Sequence, residues 1–104
     1  MTDSIAVVLT TVATPEDADR LANALLEAGL VACVQVDGPI MSHYRWQGKQ
    51  EQSAEYRMMI KIKRSVWATL REKLAEIHPY DVPEIIMLPI EAANDAYHNW
   101  VLEQ

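Results

Sequence analysis

The chain has 104 residues, 50% of them apolar and 23% charged, with 9 basic side chains against 15 acidic ones and a formal net charge of −6. A chain of this length can form one domain over residues 1–104 and bury about two-thirds of its unfolded surface, and its composition lies outside the disordered range. The acidic balance argues against nucleic acid, whose phosphates are held by Lys and Arg; the single cysteine, Cys33, excludes an intrachain disulfide and an all-cysteine metal cage; and no run approaches the ~20 apolar residues of a membrane-spanning helix.

The opening Met1-Thr2-Asp3-Ser4 carries no basic stretch, and the apolar run after it is too short for a signal peptide, so a cytoplasmic, soluble protein is expected. Ile5 to Thr11 is a continuous β-branched and aliphatic run, the pattern of a strand covered on both faces. Thr14-Pro15-Glu16-Asp17 then supplies a helix N-cap, a proline suited to the first helical position and two acids that complement the dipole. Ala18, Leu21, Ala22, Leu25 and Leu26 follow on one helical face, and Gly29 closes the helix.

Leu30 to Val36 reads as the second strand, interrupted by a turn or bulge at Asp37-Gly38-Pro39. Ile40, Ser42, Tyr44 and Trp46 continue with period two, Gln47-Gly48-Lys49 turns, and Ala54 to Lys63 returns, which together predict a long hairpin. Ser65 is placed to cap a second helix with Val66, Leu70, Leu74 and Ile77 on its apolar face, and His78-Pro79 ends it. Glu84 to Leu88 forms a last strand, and a short helix over Asn94 to Leu102 sets Tyr97, Val101 and Trp100 against the sheet.

The order β-α-β-β-α-β plus a C-terminal helix predicts an α+β, ferredoxin-like split βαβ sandwich with two helices on one face of a four-stranded antiparallel sheet. The hairpin also turns large residues to the other face, where self-association is the simplest cover. Tyr44 and Trp46 suit the centre of such an interface, because their rings combine large contact area with a polar handle.

Four ordered motifs carry a resemblance to a known family: His78-Pro79-Tyr80-Asp81-Val82-Pro83-Glu84 followed by Leu88-Pro89-Ile90; Ala32-Cys33-Val34; Ser42-x-Tyr44-x-Trp46-x-Gly48 with Glu55 and Lys61 on the return strand; and Tyr97-x-x-Trp100. In this the chain resembles the CutA, or divalent-cation tolerance, proteins over nearly its whole length. The resemblance implies a homotrimer similar in shape to the PII proteins, a link to divalent cations and notably copper, and no established reaction. The metal ligands proposed for some relatives are a cysteine ending the first strand and a His-His pair, which align here with Thr10 and with Ile77-His78; only His78 carries over. The family's Lys-Thr appears as Lys61-Ile62, and a glycine usual before the last helix as Ala93.

The residues themselves leave alternatives open. Cys33 is a buried thiol packing as a small hydrophobe or a soft ligand for Cu(2+) or another divalent metal. His78 caps a helix end or ligates the same metal, while His43 and His98 read as surface residues. Glu55, Lys61, Tyr80 and Glu84 form the expected ligand-binding cleft, with Glu55 and Glu84 pairing with Lys61 or Arg45. Three functions compete: a non-enzymatic, metal-binding homotrimer; a PII-like sensor of a small anionic metabolite at intersubunit clefts; and an uncharacterised enzyme using the same cleft. A phosphate loop, a Cys-x-x-Cys copper grip and a readable catalytic set are all missing from the sequence.

Overall fold

A computed structural model describes residues 3–104; the N-terminal Met1-Thr2, read above for charge, lies outside the described residues. The elements run β1 (Ile5–Val12), α1 (Pro15–Glu27), β2 (Cys33–Trp46), β3 (Lys49–Lys63), α2 (Trp67–Ile77), β4 (Ile86–Pro89) and α3 (Asp95–Glu103). The sheet order is β2-β3-β1-β4 with every neighbouring pair antiparallel, the arrangement of a ferredoxin-like α+β fold.

Local chemistry sets the ends of α1 as the sequence indicates. The Asp17 amide donates to Thr14 Oγ1 at 3.1 Å, and Pro15 occupies the first turn. At the other end Gly29 takes φ +71°, with its N–H on the Leu26 carbonyl and the Leu30 N–H on the Leu25 carbonyl. Those two bonds satisfy carbonyls that an abrupt helix end would leave open. The start of α2 differs from expectation: a single 3-10 turn, Arg64–Val66, leads into it, Val66 stands at the cap without a side-chain bond, and Ser65 donates instead to the Asp3 carboxylate.

The even-numbered residues of β1 and β3 face α1 and α2. Ala6, Val8 and Val12 meet Met58, Ile60 and Ile62 beneath Leu21, Leu25, Leu70 and Leu74 in one buried cluster. Leu26, expected on this apolar face, is 47% exposed and sits outside the core. The opposite sheet face is partly covered by α3, which packs on β3 and β1 and buries Val101. Tyr97 is half-buried there, whereas Trp100, also expected against the sheet, is 41% exposed and lies beside the Tyr97 ring.

The hairpin is longer on its return side and later in its start than the sequence suggested, and it pairs from Cys33↔Lys61 to Trp46↔Lys49. Gln47 and Gly48 both take left-handed φ in the two-residue turn, the geometry that matches the twist of the flanking strands. Asp37-Gly38-Pro39 is a bulge, where the register shifts between Asp37 and Ile40. At Gly38, with φ +146°, an added Cβ would stand 2.9 Å from the Glu55 carbonyl oxygen, so the close approach of the two strands requires glycine. β1 stops at the Val12↔Tyr56 pair. Beyond it, among the described residues, the hairpin projects with no strand on the outer side of β3, and the molecule extends to 47 Å along its longest axis.

Candidate functional site

The site lies where β1 runs out. Glu55 is the first β3 residue past the β1 pairing, and the segment between α2 and β4 fills the space a further strand would take. Proline shapes that segment: His78 leaves the helix with φ −71° and ψ 136°, the extended conformation favoured ahead of Pro79, while its amide still bonds the Leu74 carbonyl. Arg20 of α1 donates to the Ile77 carbonyl at 3.2 Å and ties the two helices at this corner.

His78 is buried and fully engaged. Its Nδ1 accepts the Tyr80 amide at 3.1 Å, so the ring proton sits on Nε2, which donates to the Thr11 carbonyl at 3.1 Å and lies 3.0 Å from Thr10 Oγ1. Burial lowers its pKa below the ordinary 6.5, against the opposing pull of the Thr11 carbonyl, and the neutral ring is the stable form. In this arrangement neither nitrogen has a lone pair free for a metal.

Tyr80 carries the network outward. Its hydroxyl donates to Glu55 Oε2 at 2.8 Å, and its ring stands 5.0 Å from that of His78. Glu55 is only 8% exposed. Burial acts to raise its pKa, but the hydroxyls of Ser42, Tyr80 and Thr11 outweigh it and leave the carboxyl below its ordinary range, so Glu55 is ionised at neutral pH. Tyr80 is pushed upward by burial and by Glu55, and stays protonated as a donor.

These groups line a cavity of about 640 Å³. Its carboxylates are Glu55, Asp81 and Glu84, its rings are His43, Tyr44, Trp46 and Tyr80, and no Lys or Arg among the described residues lines it. Tyr44 and Ser53 hold each other across the hairpin at 3.2 Å between their hydroxyl oxygens. Of the residues assigned from the sequence, Glu55, Tyr80, Glu84, Tyr44 and Trp46 therefore come together. Lys61 does not: it lies six residues along β3 from Glu55, about 20 Å away at strand rise, where it bonds Gln35. The expected pairing of Glu55 or Glu84 with Lys61 or Arg45 is not formed; Glu55 accepts the Tyr80 hydroxyl instead. The two ion pairs among the described residues are Arg20–Asp17 and Arg57–Asp37. Cys33 opens β2 opposite Lys61 as a half-exposed free thiol, at the far end of the sheet from His78. His43 is exposed at the cavity, and His98 is half-buried on α3.

Ser42 and Asp81 stood in the sequence motifs without being assigned to the site, and Thr11 was read only as the end of a strand. The signal for Ser42 was present, since it alternates in phase with Tyr44 and Trp46; Thr11 is revealed only by where β1 ends.

The family model described as CutA1 divalent ion tolerance protein matches residues 6–104. The chain belongs to the CutA1 family. It is similar to the divalent-cation tolerance protein CutA of Thermus thermophilus, at 40% identity over 97 residues, 93% of this chain and 94% of that protein. Mouse protein CutA is 39% identical over 98 residues, and the chain spans only 55% of its length. The crystal structure of divalent ion tolerance protein CutA1 from Ehrlichia chaffeensis superposes with a TM-score of 0.93 at 34% identity, covering 99% of this chain and 96% of that one. The CutA1 fold thus accounts for every element described above, including α3.

Proposed function

We propose that this CutA1-family protein acts by binding cations, with divalent metal ions and copper among them as its cargo, as a homotrimer that catalyses no reaction. The observation that carries this reading is the charge of the cavity: Glu55, Asp81 and Glu84 line it, with no Lys or Arg among the described residues on its wall. A PII-like sensor of an anionic metabolite would need cations on that wall, and Lys61, the one assigned to it, stands about 20 Å off along the strand.

Trimer assembly is supported by the exposed apolar groups on the hairpin and the outer strand, Met41, Tyr44, Trp46, Ile86 and Leu88. A cytoplasmic setting suits the free thiol of Cys33.

Isothermal titration with Cu(2+) and Zn(2+) tests the reading on wild type, Glu55→Gln, Cys33→Ser and His78→Gln. Saturable uptake weakened at least tenfold by Glu55→Gln, about 1.4 kcal/mol, places the ion at the cavity. Uptake lost only in Cys33→Ser moves it to the thiol end of the sheet. Uptake lost in His78→Gln, with Glu55→Gln unaffected, means that the ring leaves its hydrogen bonds to ligate. No saturable uptake by the wild type overturns metal binding.

A further inference from the structure

The His78 ring has two polar ends, and they hold different parts of the structure. Nε2 donates to the Thr11 carbonyl at 3.1 Å and lies 3.0 Å from Thr10 Oγ1, so this end is fixed to β1. Nδ1 accepts the Tyr80 amide at 3.1 Å, and the two rings stand 5.0 Å apart. The ring is buried, and Pro79 between the two residues restricts the backbone that joins them. Without the Nδ1 acceptor, the Tyr80 amide would lose its partner in a part-buried corner, and the segment would have to shift to find another.

The chain of contacts ends at the cavity. The Tyr80 hydroxyl donates to Glu55 Oε2 at 2.8 Å, and Glu55 and Tyr80 both line the space. A carboxylate turned to one orientation before an ion arrives gives up less freedom on binding it. Groups that hydrogen-bond a ligating carboxylate without touching the ion change metal affinity by roughly 10–100-fold when they are removed. The ring cannot serve this chain and ligate as well. An ion at Nδ1 would displace the Tyr80 amide, and an ion at Nε2 would displace the proton that Thr11 holds.

We propose that His78 is a positioning residue for cation binding: through Nδ1 it fixes the Tyr80 backbone, Tyr80 fixes the Glu55 carboxylate, and the ring itself does not touch the ion. The proposal rests on reading the cavity as a cation site and assigns the residue that orients its carboxylate.

Two substitutions separate the ring nitrogens. In His78→Asn the side-chain oxygen can take the place of Nδ1 and accept the Tyr80 amide, whereas in His78→Gln the side-chain nitrogen can reach the place of Nε2 and donate to β1. The test is titration of the full-length protein with Zn(2+) in wild type, both His78 variants, Tyr80→Phe, His78→Gln/Tyr80→Phe and Glu55→Gln. Exchange of the Tyr80 amide hydrogen is followed by NMR in the same proteins without metal. His78→Gln is expected to speed that exchange and to weaken uptake about tenfold. His78→Asn keeps the amide protected and restores most of the uptake, and the double variant binds no more weakly than Tyr80→Phe.

Uptake lost in His78→Asn while its Tyr80 amide stays protected overturns the proposal, because the ring then acts through Nε2 or as a ligand. Losses that add in the double variant overturn it whatever the exchange shows, since His78 then acts by a route separate from Tyr80. If the His78 variants fold poorly, Tyr80→Phe decides: undiminished uptake there breaks the chain. Uptake weakened by Glu55→Gln but by none of the other variants overturns the positioning role and leaves the cation reading standing. No uptake by the wild type overturns both.

Discussion

At the scale of single residues, the His78 ring is the joint between core and cavity. It takes the Tyr80 amide on one nitrogen and gives its proton to β1 from the other, which positions Tyr80 to reach Glu55. Because burial lowers its pKa from the ordinary 6.5, the unfolded chain takes up a proton below that value that the folded chain does not. Stability is therefore expected to be level above about pH 6.5 and to fall as the pH drops from there towards the depressed folded pKa. Thermal unfolding at pH 7.5 and pH 5.5 checks this: the wild type loses midpoint temperature on acidification, and His78→Gln loses distinctly less. Glu55 acts at lower pH with the same overall direction. Its folded pKa is below the ordinary 4.5, so its contribution is present above that value and is lost as the pH falls through the folded pKa. Tyr80→Phe removes a donor from a buried carboxylate and is expected to cost about 1.5–3 kcal/mol in denaturant unfolding. An unchanged midpoint would show that Glu55 finds an equivalent donor.

At the scale of elements, two sites on the chain are set by local rules that a substitution can break. Thr14→Ala removes the N-cap bond to the Asp17 amide and is expected to destabilise by about 1 kcal/mol, read as a shifted urea midpoint with unchanged slope. Gly38 is held by a tertiary contact as well as by its backbone angle. A methyl group there would meet both the Glu55 carbonyl and the Tyr56 side chain within 3 Å, so Gly38→Ala must displace β3 beside the cavity. We expect it to lower stability by more than the ~1 kcal/mol typical of glycine replacement, and to weaken whatever binds at Glu55. A stable variant with undiminished cavity binding would contradict this account of the bulge.

At the scale of the whole molecule, one end is a packed sandwich and the other a projecting hairpin. The packed end depends on residues such as Leu74, fully buried against the sheet, and Leu74→Ala is expected to cost 2–5 kcal/mol in the range seen for buried leucine truncation. The projecting end exposes 42% of Tyr44 and 44% of Trp46, two large rings side by side on one strand face. If these rings cover one another between copies, Trp46→Asp will convert a trimer to monomers in light scattering after gel filtration, while keeping the circular dichroism of the folded chain. A wild type that runs as a monomer at micromolar concentration would end the trimer proposal.

The sequence by itself determined what depends on near neighbours. The caps of α1, the turn at Gln47-Gly48, the bulge at Asp37-Gly38-Pro39 and the alternation from Ile40 to Trp46 follow from side-chain volume, backbone freedom and periodicity within a few residues, and so the order and type of the elements were legible; the continuous run of β1, read as covered on both faces, in fact alternates between buried and half-buried residues. The four motifs also marked Glu55, Tyr80, Glu84, Tyr44 and Trp46 before any of them could be seen to meet. Three features needed the tertiary structure. Lys61 and Glu55 lie on one strand, but which of them borders a cavity depends on where β1 ends, and strand length is decided by pairing with distant residues. Ser65 is a good capping residue by type, yet the Asp3 carboxylate draws its hydroxyl away before α2 begins. The state of His78 as a neutral ring arises from Nε2 partners 67 and 68 residues away and from burial that no local pattern encodes; only the Tyr80 amide on Nδ1 is a near neighbour. Local chemistry wrote the elements; only their packing decided which charges share a space and which are left without a counterion.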